Sequence, residues 1–472
     1  MLRTTAAFLA GAVLAVLQAG CSHPRFYADA EYGMATHGRF ASQGHFAVYY
    51  PAEIALDFPG YVVGIEMGDR TNLLRNGDLV VDRLSHAGTT MTRLTEALRN
   101  GKRDLEHPFQ EDLLPFISHV LRYQGKPMGE GNCALYSVYQ SPRPELMDFC
   151  EGRRRPEITG WPLYHSAFHD SWQAIDVLKN ALAEDAASGH YTHLIIAIMG
   201  WRTTQEESIR NFNSLVRAIH FAGMEHFRPL FVGITWVGPW AGRWLDPLIE
   251  TLAYANIAEL ADTLGLTWIG VLTQEIVIPL GEKLPTVLIS HSFGSRAATT
   301  AVCIGPAIRR NAAVPVAAAQ GSIDRLFGLG AAFSLQRFKE KRLIFFYEDV
   351  HFPNDCDRAK SIVLTTTQHD QATRAIIWAD LAGSYGYFKS FCRANEGALA
   401  SCGSVDEQGK IKREYDDTRK VLYFDATDMI RFRAPGTDGG AHSDIFRPAT
   451  GRFIWSLISS RPGTRGQATG GQ

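Results

Sequence analysis

The sequence predicts an α/β protein, a doubly wound and mostly parallel sheet with helices on both faces, over about residues 161–461. Three observations carry this. Strand-like and helix-like segments alternate after Pro162, which is the pattern of parallel strands joined by crossover helices. The strands read as unbroken apolar runs such as His193-Leu194-Ile195-Ile196-Ala197-Ile198-Met199, as expected where both faces of a sheet are covered. One run, Thr286–Ser290, breaks at once into a helix through a short Ser/Gly turn.

In chain order, a helix is expected over Ser166–Ala187 and a strand over His193–Met199. A helix near Ser208–Ala222, a strand over Pro229–Trp236 and a helix over Pro247–Leu264 follow. The strand Thr286–Ser290 leads into a helix reaching Cys303. Further strands are expected at Arg342–Tyr347 or nearby, at Ser361–Thr365 and at Lys420–Phe424, with a closing helix over Gly451–Ile458. Ahead of this body, residues 22–160 read as an α+β extension, a candidate cap over the cleft. Its first part is an irregular tether to about residue 45. His45–Tyr50, Gly60–Ile65 and Asp78–Val81 suggest a small antiparallel sheet, and Thr90–Leu98 and Gln110–Tyr123 show helical periodicity. Residues 124–163, rich in Gly, Pro and charge, read as an exposed insertion, and the tail 462–472 reads as disordered.

Composition excludes some function classes. Of 472 residues, 46% are hydrophobic and 20% charged, which is ordinary for a globular enzyme. Lys and Arg number 47 against 49 Asp and Glu, so no basic excess points to nucleic acid. Arg153-Arg154-Arg155 is too short a run to change that.

The first 21 residues read as a secretory signal peptide: a basic start at Arg3, an apolar stretch Ala6–Leu17, and Gln18-Ala19-Gly20-Cys21. The ending resembles a bacterial lipoprotein signal, with Gln18 where that family prefers Leu. The resemblance implies lipidation at Cys21 and a membrane anchor. Ser22 resembles the outer-membrane default, with the protein facing the periplasm; plain cleavage would leave it periplasmic or secreted. Of seven cysteines, six remain in an exported chain, an even number that suits disulfides. Many pairings are open. One that closes two short loops is Cys133–Cys150 and Cys392–Cys402, leaving Cys303 with Cys356.

The central motif is Leu288-Ile289-Ser290-His291-Ser292-Phe293-Gly294-Ser295. A strand that turns sharply into a helix lifts the Ser292 hydroxyl into the open and sets it at a helix N-terminus, where a developing anion is favoured. The motif resembles the nucleophile elbow of the α/β-hydrolase superfamily, the serine esterases and lipases, with Gly294 matching its second glycine and Ser290 standing in place of the first. That resemblance implies Ser292 as nucleophile and the Phe293 amide as one oxyanion donor. The stretch Met199-Gly200-Trp201-Arg202 is similar to the family's His-Gly-Trp loop, with Met199 in place of His; Gly200 turns the backbone and the Trp201 amide is the second donor. The family's chain order of serine, acid, histidine implies Asp370, after the strand ending in Thr365, as acid. Asp349, Asp355 and Asp357 compete for that role. His442, in Gly439-Gly440-Ala441-His442, is the one histidine after His369 and is expected to be the base. Ser292 Oγ and His442 Nε2 should then lie within hydrogen-bond reach, or somewhat looser without ligand.

These residues imply hydrolysis of an ester-type bond through an acyl-enzyme, on a small-molecule or lipid ester, without cofactor or metal. Trp236, Trp240 and Trp244 serve equally as an apolar acyl pocket or as core. His165-x-x-x-His169 has helical metal spacing but lacks the intervening Glu of a zinc protease. His291 is expected to pack beside the nucleophile. The competing readings are a non-catalytic binding protein on the same scaffold and a thioesterase or peptidase of the same fold.

Overall fold

The computed structural model describes residues 55–67, 115–125, 131–137, 149–152, 164–201, 203, 205–236, 246–308, 310, 321–338, 343–344, 347–348, 351–352, 356–374, 380–412, 415–433 and 439–459. The segments expected to be a signal peptide with Cys21 and a tether, together with His45–Tyr50, Asp78–Val81, Thr90–Leu98, Trp240, Trp244, Asp349, Asp355 and the tail from Pro462, lie outside them.

One ten-stranded sheet organises the chain: β1 (Pro59–Met67), β2 (Pro115–Gln124), β3 (Cys133–Ser137), β4 (His193–Ile198), β5 (Pro229–Trp236), β6 (Thr286–His291), β7 (Ile323–Leu329), β10 (Ala359–Thr366), β11 (Ala400–Ser404) and β12 (Val421–Asp425). Their spatial order is β11-β12-β10-β7-β6-β4-β5-β1-β2-β3. All pairs from β11 to β1 are parallel; β2 and β3 close one edge antiparallel. The short strands β8 (Leu343–Ile344) and β9 (Tyr347–Glu348) pair with each other in a separate sheet. The helices are α1 (Tyr164–Ala187), α2 (Gln205–Gly223), α3 (Asp246–Leu266), α4 (Trp268–Leu272), α5 (Phe293–Cys303), α6 (Tyr385–Asn395) and α7 (Pro448–Ile458). A π-helical segment, Thr273–Val277, continues α4 into a last turn at Ile278–Leu280.

Two apolar cores lie on opposite faces of the sheet, because successive side chains of a strand point to opposite sides. Leu194, Ile196 and Ile198 of β4 join one core with Leu178 of α1, Leu264 of α3 and Ala298 of α5. Ile195, Ala197 and Met199 join the other with Phe212 of α2 and Phe453 of α7. This is the doubly wound arrangement expected, and it explains why β4 and β6 are apolar throughout: every residue in both is buried. Ile257–Leu280 is long and apolar enough to cross a membrane, but 89% of its most apolar window is buried in the first core.

Three local expectations are corrected. Gln110–Tyr123 does not form a helix: its described part is β2. Leu113, Leu114, Phe116, Ile117, Val120 and Leu121 mimic helical spacing, but β2 is covered on both faces, so Ser118 and His119 are buried too and apolar periodicity loses its meaning. Pro115 inside that window is the local sign against a helix. The extension contributes no separate antiparallel sheet from its described strands: β1 pairs parallel with β5, and β2 and β3 continue the main sheet, so 133–137 is strand rather than exposed insertion. The strand expected near Arg342–Tyr347 is replaced in the main sheet by β7. Asp324, Arg325 and Gly328 disguise β7, yet Arg325 is buried and paired with Asp417 and with the Ser361 hydroxyl, while Asp324 accepts from the Thr286 amide.

Disulfides join Cys133 to Cys150, Cys303 to Cys356 and Cys392 to Cys402. The last ties α6 to β11, two elements absent from the sequence expectation.

Candidate active site

In open parallel sheets, ligands bind beyond the carboxyl ends of strands where the chain reverses its direction of winding. Here β4 lies between β5, which follows it, and β6. The crevice beyond β4 and β6 is therefore the topological switch point. Gly200 follows β4 and Ser292 follows β6.

Ser292 has φ 54° and ψ −128°. A non-glycine residue at positive φ costs on the order of 1–3 kcal/mol and needs surroundings that hold it. The end of β7 does so from both sides: the Ser292 amide donates to the Leu329 carbonyl at 3.1 Å, and the Ala332 amide donates to the Ser292 carbonyl at 3.1 Å. Phe293 begins α5, so its amide is among the unpaired donors of a helix N-terminus. A side chain at Gly294 would overlap the Met199 and Ile198 carbonyls, so α5 and the end of β4 meet backbone to backbone. Ser290, in place of a glycine, turns its hydroxyl onto the Phe327 carbonyl at 2.6 Å and is fully buried, so the substitution is absorbed by the neighbouring strand.

Asp370 and His442 meet as expected: His442 Nδ1 lies 2.8 Å from Asp370 Oδ2. A carboxylate accepts, so Nδ1 carries the proton and Nε2 is left as the acceptor a general base needs. The two loops pair locally, with an antiparallel bridge from Asp370 to Gly440, the Ala441 amide donating to the His369 carbonyl and the Gln371 amide to the Gly439 carbonyl. Asp370 Oδ1 accepts from the Thr373 amide at 3.0 Å, which fixes the carboxylate's rotation. Burial of the His442 ring opposes its charged form, but the Asp370 charge and hydrogen bond outweigh that and raise its pKa above the ordinary imidazole value. Asp357 and His369 are exposed and stand outside this pair.

No hydrogen bond joins Ser292 Oγ to His442 among the described residues. His442 is instead tied to the residue before Ser292. His291, the neighbour of Ser292, bonds the His442 carbonyl through Nε2 at 3.0 Å, and the two rings lie 4.6 Å apart. Burial first, and then the nearby His442 charge, push the His291 pKa down to about 3, so the ring stays neutral and Nε2–H is the donor.

Gly200 lies against the nucleophile: a Cβ there would come within 2.8 Å of Ser292 Cβ and 3.4 Å of Oγ. The Gly200–Trp201 peptide thus borders the space above Ser292, where a second oxyanion donor is required. The Trp201 ring is 6.5 Å from the Phe293 ring, which in turn lies 5.4 Å from Tyr254. Trp236 is buried with its indole N–H on the Met199 carbonyl, and so belongs to the core as well as to the site.

Gly330 is a site residue that the sequence reading missed, because its strand, β7, was missed. It has φ +54°, and a Cβ there would lie 3.2 Å from both Cε1 and Nδ1 of His442 and 3.5 Å from Asp370 Oδ2. For a His442 that acts as a general base, Gly330→Ala is expected to lower kcat about 10–100-fold with little change in KM, since a small displacement of a reacting group costs that much. Steady-state kinetics on a folded variant checks this.

Among the described residues no group of three or more His, Cys, Asp or Glu is arranged to hold a metal ion. The His165 side chain lies outside the described residues. No family model, no curated protein and no solved structure matches this chain.

Proposed function

We propose that this chain is a serine hydrolase of the α/β-hydrolase type that cleaves carboxylic esters, of small molecules or lipids, through an acyl-enzyme. The observation that carries the reading is a serine held at positive φ in a strand-to-helix turn at the switch point, with a hydrogen-bonded Asp370–His442 pair brought to its neighbourhood in the chain order serine, acid, histidine. Ser292 attacks the ester carbonyl while His442 takes its proton; His442 then returns the proton to the leaving alcohol. Water, deprotonated by His442, releases the acid. Asp370 holds the imidazole, and the Phe293 and Trp201 amides hold the oxyanion in each tetrahedral intermediate. The aromatic group of Trp201, Phe293 and Tyr254 beside Ser292 supports an apolar acyl chain. Three disulfides support an oxidising compartment, in keeping with export and with anchoring through Cys21.

The test is hydrolysis of p-nitrophenyl esters of graded acyl length by wild type, Ser292→Ala and His442→Ala, beside labelling with a fluorophosphonate probe. Turnover and labelling in wild type, lost in Ser292→Ala, are expected. Folded wild-type protein that does neither would sink the hydrolase reading in favour of a binding protein.

A further inference from the structure

We propose that Trp236 is a positioning residue for the oxyanion loop, holding through its indole N–H the peptide that aims the Trp201 amide at the reacting carbonyl. The inference rests on the hydrolase reading above.

The sheet ladder beside β4 ends at Ile198, which is the last residue in register with both Ile234 of β5 and Ser290 of β6. The next carbonyl, that of Met199, is beyond the ladder. It is nonetheless buried among apolar side chains, with Met199 itself 2% exposed. A buried carbonyl needs a donor, and a buried indole N–H needs an acceptor. Trp236 Nε1 meets the Met199 carbonyl at 2.8 Å, and the Trp236 side chain is 3% exposed. On its other side the same carbonyl faces Gly294, where any side chain would overlap it. The carbonyl is therefore boxed between an indole and the first turn of the nucleophile helix.

A trans peptide is planar, so fixing the Met199 carbonyl fixes the plane and direction of the Met199–Gly200 peptide. Only the dihedrals at Gly200 then separate that plane from the Trp201 amide, and Gly200 is itself pressed against Ser292. The loop's far end is held from the opposite face of the sheet. Thr235, the neighbour of Trp236 in β5, points the other way, and its hydroxyl lies 3.4 Å from both the Val63 carbonyl and Oε1 of Gln205 at the start of α2. Two adjacent residues of one strand thus contact Met199, just after β4, and Gln205, at the start of α2. The resemblance drawn from the sequence has a histidine where this chain has Met199. Met199 brings no ring to this position, and its carbonyl is held by the Trp236 indole.

The test compares wild type with Trp236→Phe and with a variant carrying β-(benzothien-3-yl)alanine at position 236, an indole isostere without the N–H. The readouts are kcat and KM on a p-nitrophenyl ester, the pH profile, and the affinity of a trifluoromethyl ketone, which binds as a tetrahedral oxyanion. Both variants should lose about 10–100-fold in kcat, short of the full effect of deleting an oxyanion donor. KM should stay within about twofold, ketone affinity should fall by a factor similar to that in kcat, and the acid limb of the profile should not move, because the Asp370–His442 pair is untouched. If Trp236→Phe fails to fold, the isostere, which keeps the shape, carries the test. An isostere with wild-type kcat and wild-type ketone affinity overturns the inference while leaving the hydrolase reading intact. A wild type that neither hydrolyses esters nor takes the fluorophosphonate overturns both.

Discussion

Asp370→Asn is expected to reduce kcat for an ester by about 10⁴-fold while leaving KM and the fold nearly unchanged. The size follows from what Asp370 does. It keeps the proton of His442 on Nδ1, and in the proposed mechanism it stabilises the imidazolium that forms when the base accepts the Ser292 proton. An amide at position 370 could turn its NH₂ toward Nδ1, leaving Nε2 protonated and unable to accept. The pH profile gives a second, independent readout. His442 must be neutral to act, so activity is low below its pKa and rises as pH passes through it. Because Asp370 raises that pKa, the wild-type acid limb should lie above the ordinary imidazole value, and in Asp370→Asn the residual activity should show a limb shifted to lower pH. The linkage to stability has the opposite direction. A histidine raised on folding contributes stability that is fully present below its unfolded value and is lost as pH rises through the folded one. The pair should therefore contribute least to the fold in the pH range where the proposed hydrolase activity is expected to be highest. A flat profile in wild type, or an Asp370→Asn variant with undiminished kcat, would remove His442 as the base.

How much of this was legible in the sequence depended on whether local pattern and tertiary setting agreed. Strands β4, β5, β6, β10 and β12 are apolar runs of ordinary length between turn residues, and the sequence places them within a residue or two. The positions of Ser292, Asp370 and His442 were legible for a related reason: each follows such a strand or the last of them. β7 was not legible, because a central strand with Asp324, Arg325 and Gly328 looks like loop until its partners on β6, β10 and at Asp417 are known. With β7 went Gly330 and the two bonds that hold Ser292 at positive φ, since one comes from Leu329, the last residue of that strand, and the other from Ala332 just beyond it. The role of Trp236 was hidden differently. Its ring obeys strand periodicity and reads as core, while its one polar atom serves a carbonyl 37 residues away. β2 shows the converse failure, a helical period produced by a strand whose first seven positions, Pro115–Leu121, are all buried.

The largest stability effect is expected at Asp262, behind the nucleophile helix. Its carboxylate is completely buried in α3 and accepts from two guanidiniums. Arg296 of α5 reaches Oδ2 through Nε at 3.0 Å and through its terminal nitrogen at 2.7 Å; Arg337 reaches Oδ1 at 3.0 Å and Oδ2 at 2.8 Å. Thr300 adds its hydroxyl to Oδ1 at 2.7 Å. Arg296 and Arg337 are themselves at most 1% exposed. Burial alone would favour the neutral acid, but the charges of Arg296 and Arg337 and their hydrogen bonds overcome it and hold Asp262 well below the usual carboxylate range. Asp262→Asn removes the carboxylate charge to which both buried guanidiniums bond and puts an amide in its place. Breaking a buried pair costs about 3–5 kcal/mol, which in a chain of this size corresponds to a fall in Tm of roughly 10 °C. One neighbour should soften the loss. Burial, and then the Asp262 charge, push Glu259 up to about 7, and without that charge Glu259 ionises more readily toward Arg296. Asp262→Asn combined with Glu259→Gln should therefore be less stable than the two single effects added. By contrast, Asp262→Leu with Arg296→Met and Arg337→Met together should recover most of the stability, because an apolar core of similar volume has no charge to desolvate. A carboxylate depressed on folding contributes stability above its unfolded value and loses it as pH falls, so wild type should weaken below about pH 4 and Asp262→Asn should show a flatter acid limb. Thermal and denaturant unfolding of this set decides the matter. A triple variant as unstable as Asp262→Asn would mean that the cluster stabilises by its charges themselves, and that the elbow's helix depends on them.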